Sequence, residues 1–203
     1  MSDYKKYMNR LKQYLDTVEV TMSSGAPLSV EDGLNEWFVM TEQLMSRNNT
    51  MFFVGNGASA MMASHMAADA SKNGNFRAMA FNEPALLTAV SNDICYEQSF
   101  AVPLKRFGNP GDILVAISSS GGSPNIIAAI AAARELAMRI ITLSGMKSDN
   151  PSRRAGDLNF FVPSMTYGMT ESAHQSILHC WLDVFMERNV RHLQPLTFTP
   201  SLI

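Results

Sequence analysis

The 203-residue sequence predicts an α/β fold: a parallel sheet of about five strands, helices between them, and two helices in front. Three observations carry the prediction. Five short apolar runs recur at 51–54, 78–81, 113–117, 138–143 and 158–162. Runs of that length without polar alternation fit strands buried on both faces of a sheet. Stretches with helical spacing separate them, and alternation of the two element types is the pattern of a parallel sheet. Two of the runs, moreover, lead straight into Gly/Ser loops, Gly55-Asn56-Gly57-Ala58-Ser59 and Ser118-Ser119-Ser120-Gly121-Gly122-Ser123.

The elements follow in order. Residues 3–23 carry Tyr7, Leu11, Leu15 and Val18 at helical spacing, and Ser23-Ser24-Gly25-Ala26-Pro27 breaks that helix. Ser29 begins a second helix, with Glu31 and Asp32 in its first turn, where acidic groups favour the helix dipole. It runs to about residue 47 through Leu34, Trp37, Phe38, Leu44 and Met45; Trp37 and Phe38 suit a helical subunit contact, which assigns residues 1–48 to oligomer contacts. After the first strand and loop comes a helix over 60–71, stopped by Gly74. The second strand leads to a short helix over 84–90, closed by Asn92-Asp93, and then to a helix over 97–107, ended by Gly108-Asn109-Pro110-Gly111. Strand 113–117, the serine loop and a helix over 125–137 form one unit. Strand 138–143, a polar connection with Pro151, strand 158–162 and a helix over 170–188 complete the core. The whole chain, 1–203, reads as a single domain with its core at 50–188 and an extended tail at 189–203.

Composition bounds the function. A net charge of −2 argues against a nucleic-acid footprint. No apolar run approaches the roughly 20 residues of a membrane span, and the polar opening Met-Ser-Asp-Tyr-Lys-Lys does not resemble a signal peptide, so a cytoplasmic protein is expected. Cys95 and Cys180, with no CxxC spacing, are expected to be two buried thiols in a reducing compartment. Met61, Met62 and Met66, set among alanines, are expected to fill core or subunit contacts.

The serine loop is the first candidate site. Strand, loop and helix start follow one another sharply; Asp112 precedes the strand, and Pro124 sits where its missing N–H leaves no hydrogen bond unmade. Such a loop gathers free amides, hydroxyls and the positive end of a helix dipole, a seat for a phosphate or another small anion. It has no Gly-Lys-Ser/Thr, so it is not a nucleoside triphosphate loop. Both Gly/Ser loops follow strands and should open on the same edge of the sheet, where ligands bind in such folds.

These two loops, together with His65 in the helix after the first and His179 in the last helix, resemble the sugar isomerase (SIS) domain, and within it the phosphoheptose isomerases. The resemblance spans the chain from the leading helices to about Arg188. It implies a three-layer α-β-α sandwich of flavodoxin-like topology. It also implies a homotetramer with active sites between subunits, and conversion of sedoheptulose 7-phosphate to glycero-manno-heptose 7-phosphate for surface heptose. By matching position, Ser118, Ser119, Ser120 and Ser123 would hold the sugar phosphate. Asn56, Gly57 and Ser59 would line the sugar, and Asp93 would belong to the site. His65, Asp69, Glu171 and His179 fall on a polar cluster that in some members holds zinc, with Asp69 and His179 as the proton-transfer pair and Glu171 also facing substrate.

Two positions depart from the family pattern: Asp69 stands where Glu is usual, and Glu171 where Gln is usual. The first retracts a carboxylate by about 1.5 Å, one C–C bond. The second adds a negative charge, and two nearby carboxylates share a proton or invite a cation. His65 and Asp69, four apart, share a helix face. Glu171 and His179 are eight apart, about 12 Å along a helix, so one metal reaches both only from midway. His174 and Gln175 are read as neighbours that orient the cluster, and Arg153 and Arg154 as a solvated pair. The alternatives are isomerisation of another phosphosugar, or a non-catalytic member that binds a sugar phosphate or a protein partner, as relatives associated with a replication initiator do.

Overall fold

The computed structural model describes residues 1–189; the expected tail from 190 onward lies outside them. Two leading helices, α1 (Asp3–Asp16) and α2 (Val30–Ser46), flank a hairpin of β1 (Glu19–Met22) and β2 (Pro27–Leu28). There follow β3 (Met51–Gly55), α3 (Ala58–Lys72), β4 (Ala78–Ala80), α4 (Pro84–Asp93) and α5 (Ala101–Phe107). The second half comprises β5 (Ile113–Ser118), α6 (Pro124–Glu135), β6 (Arg139–Gly145), β7 (Leu158–Val162) and α7 (Tyr167–Asn189).

One sheet of seven strands runs in the order β2-β1-β7-β6-β5-β3-β4. All five expected strands, β3 to β7, are present and parallel. β3, β5 and β6 alternate their side chains between two cores. Phe53, Val115 and Ile117 face α2, α3 and α7, whereas Phe52, Val54, Leu114 and Ala116 face α5 and α6. Burial on both faces is why these runs carry no polar alternation.

The hairpin is the main departure from the sequence reading. The first helix ends at Asp16 rather than near residue 23, because Val18, Val20 and Thr21 are β-branched and lose rotamer freedom in a helix. The strand they form pairs antiparallel with β7, Val20 opposite Phe160, and so covers an otherwise open sheet edge. Trp37 and Phe38 are likewise not on a subunit contact. Both are buried inside the chain: Trp37 stacks on Trp181 with centroids 4.5 Å apart, and Phe38 lies near Phe185. By contrast α1 buries no residue and exposes Tyr4, Tyr7 and Met8.

Four smaller expectations are also corrected. Cys95 and Cys180 are both exposed and unpaired, since each lies at or near the outer face of its element. Of the alanine-flanked methionines, Met62 and Met66 are core, but Met61 points outward. Residues 97–107 split into a 3-10 turn, Tyr96–Gln98, and α5. Arg153 is not solvated: it pairs with Glu19, donates to Ser148 O at 2.8 Å and lies over the Phe161 ring. Among the described residues no helix is long and apolar enough to cross a membrane.

The chain leaves β3 towards β4, then returns to β5 on the other side. The strand order therefore reverses between β3 and β5, and a crevice opens there beyond their carboxyl ends. Asp112 marks the opposite end. It accepts from Thr50 N, Asn49 Nδ2 and Asn109 N at 2.7, 2.8 and 2.7 Å, clamping the starts of β3 and β5.

Candidate active site

The crevice holds a cleft of about 250 Å³, and both Gly/Ser loops line it: Asn56, Gly57 and Ser59 from one, Ser118, Ser119, Ser120 and Ser123 from the other. Tyr167 and Glu171, in the first turns of α7, complete the wall. Three helices, α3, α6 and α7, thus begin at this cleft, and each presents the positive end of its dipole. Among the described residues no lysine or arginine lines it, and Glu171 is its charged residue. The groups that this lining offers to an anion are amides, hydroxyls and helix dipoles.

The serine loop is wound to leave donors free. Gly121, at φ +64°, donates its amide to Ser118 O at 3.0 Å and to Ser118 Oγ at 3.2 Å, closing a tight turn. Among the described residues the amides of Ser119, Ser120 and Ser123 donate to no protein atom, and the Ser123 hydroxyl makes no capping bond. Gly55 lets the first loop pack: a Cβ there would lie 2.5 Å from Ser59 O, so α3 could not start so close to β3.

A polar network that the sequence reading missed joins the loops. Asn56 and Asn125 exchange amide hydrogen bonds at 2.8 and 2.9 Å, Tyr96 donates to Asn56 Oδ1 at 2.8 Å, and Asn125 also reaches Ser99 Oγ at 3.3 Å. Asn56 therefore spends its carbonyl oxygen and one N–H on bracing, and keeps one N–H for a ligand. Asn125 follows Pro124 at the helix start, a position that periodicity marks as ordinary helix; nothing local betrays its partner. Tyr167, which lines the cleft, was missed for the same reason.

A second constellation lies farther along α3 and α7. His65, Asp69 and His179 each offer a ligand atom within 4.8 Å of the others. His65 Nε2 is 3.4 Å from Asp69 Oδ2, the two imidazoles meet edge to face with centroids 5.2 Å apart, and Asn73 donates to Asp69 Oδ1 at 3.3 Å. Two nitrogens and a carboxylate make a possible metal site. Glu171 is not in this group but on the cleft wall, so the eight-residue spacing from His179 separates two sites rather than spanning one metal. Asp93 is exposed at the end of α4, bonded to Asn92 at 2.8 Å, and does not line the cleft.

His174 does not orient the cluster. It is fully buried on the sheet side of α7, where its Nε2 donates to Ser144 O at 3.1 Å and Nδ1 finds no partner among the described residues. Burial pushes its pKa down from 6.5 to about 4, against a smaller opposite pull from the Ser144 carbonyl. Gln175 points to Met66 Sδ at 3.7 Å. A larger cleft of about 540 Å³ lies near the starts of β3 and β4, between Asn48, Phe76, Arg77 and Phe107, but Arg77 is tied to Thr50 and, among the described residues, its lining holds no carboxylate or histidine.

Sheet, switch-point crevice and paired loops define the class as a SIS-domain protein, and a family model described as the SIS domain matches residues 7–145. The chain belongs to the phosphoheptose isomerase family. The phosphoheptose isomerase of Aromatoleum aromaticum is 37% identical over 144 residues, 67% of this chain and 73% of that one. That of Sodalis glossinidius is 33% identical over 180 residues, 84% and 89% of the two chains. The solved phosphoheptose isomerase of Francisella tularensis superposes with a TM-score of 0.77 at 25% identity, covering 92% of this chain and 100% of that one.

Proposed function

We propose that this chain is an aldose–ketose isomerase that converts sedoheptulose 7-phosphate to glycero-manno-heptose 7-phosphate. One observation carries the reading: the cleft that the serine loop lines lies at the starts of α3 and α7, and the His–Asp–His cluster lies farther along those same two helices. From Glu171 to His179 is about 12 Å along α7, and an extended heptose phosphate is about 10 Å long at 1.5 Å per bond. Phosphate in the serine loop leaves the carbonyl end near the cluster.

Isomerisation moves a proton between C1 and C2 through an enediol. Asp69 takes the proton from C1 of the ketose and returns it to C2, while His179 donates to and recovers protons from the sugar oxygens. Ser118, Ser119, Ser120 and Ser123 hold the phosphate, Asn56 and Ser59 orient the hydroxyls, and Glu171 accepts from them. The donor set fits zinc. Two imidazoles and a carboxylate, with ligand atoms within 4.8 Å of one another, are a usual zinc donor set. His65, Asp69 and His179 would hold the ion, which would supply Lewis-acid polarisation of the carbonyl oxygen.

A homotetramer is part of this reading, and the unburied α1 with Tyr4, Tyr7 and Met8 outward is the face that suits it. The exposed unpaired thiols of Cys95 and Cys180 fit the reducing cytoplasm.

The test is turnover of sedoheptulose 7-phosphate by the metal-stripped protein, with and without added zinc, and with a chelator. Zinc-dependent aldose formation is the expected result. Absence of turnover in every condition, with phosphosugar binding retained, would instead assign a binding role.

A further inference from the structure

We infer that Asn150 is a positioning residue for phosphate recognition, acting from behind the serine loop through Gly121. The inference rests on the reading of that loop as the phosphate seat. Asn150 lies in the connection after β6 and is 4% exposed. Its amide orientation is set by four contacts. Nδ2 donates to Lys147 O at 2.8 Å, Gly145 O at 3.2 Å and Ser144 Oγ at 3.3 Å, while Oδ1 accepts from Arg153 N at 2.9 Å. The connection is thus wrapped round this one side chain.

The same side chain fills the space over Gly121. A Cβ on Gly121 would fall 1.9 Å from Asn150 Oδ1 and 2.2 Å from its Cγ. Gly121 is also the residue whose positive φ and inward amide close the turn of the seat, and its carbonyl accepts from Ser152 N at 2.9 Å. Two contacts therefore pin Gly121 from the β6 side: a backbone bond to Ser152 and the packed face of Asn150. Asn150 lines a separate cavity behind the loop and not the cleft in front, so it touches no substrate. Its effect passes through the loop's shape.

That shape matters because, among the described residues, no cation lines the cleft. Amides hold an anion well only when they already converge on it, so that binding carries no reorganisation cost. Removing Asn150 frees Gly121 to move outward and lets the Ser119 and Ser120 amides diverge.

The test compares wild type, Asn150→Ala, Gly121→Ala and the double variant, by calorimetric titration with inorganic phosphate and by turnover. For Asn150→Ala the phosphate Kd and the phosphosugar KM are expected to rise together by about tenfold, a change of 1.4 kcal/mol, with kcat within about twofold of wild type, as loss of uniform binding requires. The double variant should bind phosphate more tightly than the product of the single losses predicts, because the vacated space accepts the new Cβ. If Asn150→Ala does not fold, Asn150→Ser, which keeps an acceptor for the Arg153 amide, carries the same expectation. A lower melting temperature with unchanged Kd would make Asn150 a structural anchor only and overturn the inference; so would strictly additive losses, or a fall in kcat alone. A wild type that binds phosphate without turnover overturns the isomerase reading and leaves the Asn150 comparison decisive. A wild type that binds no phosphate overturns both.

Discussion

Lowering the pH should unfold this protein partly through one side chain, His174. The neutral imidazole donates to Ser144 O through Nε2, and a second proton would sit on Nδ1, which is fully buried and has no partner among the described residues. The folded chain resists that proton until about pH 4, whereas the unfolded chain accepts it near 6.5. Between those values the unfolded state binds more protons, so stability falls as pH falls. The contribution is complete above pH 6.5 and lost by about pH 4; at 1.36 kcal/mol per pH unit the loss is about 3 kcal/mol. Carboxylates lose stability in the same range, so the measurement is a difference. Urea unfolding of wild type and His174→Gln would be followed from pH 7.5 to 4, at one protein concentration and with a chelator present. Glutamine keeps a donor for Ser144 but does not titrate, and its stability curve should be flatter by about 3 kcal/mol over that range. Parallel curves for the two proteins would refute the reasoning.

Three further outcomes are expected. Asp112→Ala leaves the buried Thr50 amide without its acceptor and removes a partner from Asn49 and Asn109 at the far end of the strands, and should cost about 1–3 kcal/mol in urea unfolding while kcat/KM stays near wild type. His179→Ala should lower kcat by about a hundredfold or more with inorganic phosphate binding intact by calorimetry; full turnover in this variant would remove His179 from the chemistry. Glu171→Gln takes the charged residue from the cleft wall and should lower the phosphosugar KM by about threefold, an effect that added salt diminishes.

The sequence by itself determined the five parallel strands, the two Gly/Ser loops and their shared edge. Strands buried on both faces must be apolar throughout, and a strand that ends in Gly/Ser before a helix start has few other conformations. It also placed His65 and Asp69 on one face, since their spacing is local. Everything that depended on a distant partner was left to the tertiary structure. Glu19–Met22 is a strand because Phe160 and its neighbours lie beside it. Trp37 is core because Trp181 stacks on it. Asn56 braces the site through Asn125 and Tyr96, and His174 is buried against Ser144 rather than set beside His179. Glu171 and His179, alike in a helix pattern, part company because one meets the cleft and the other meets α3. Local propensity and periodicity act over a few residues and are written in the chain. Which face is covered, and which polar group finds a partner, is decided only when distant segments meet.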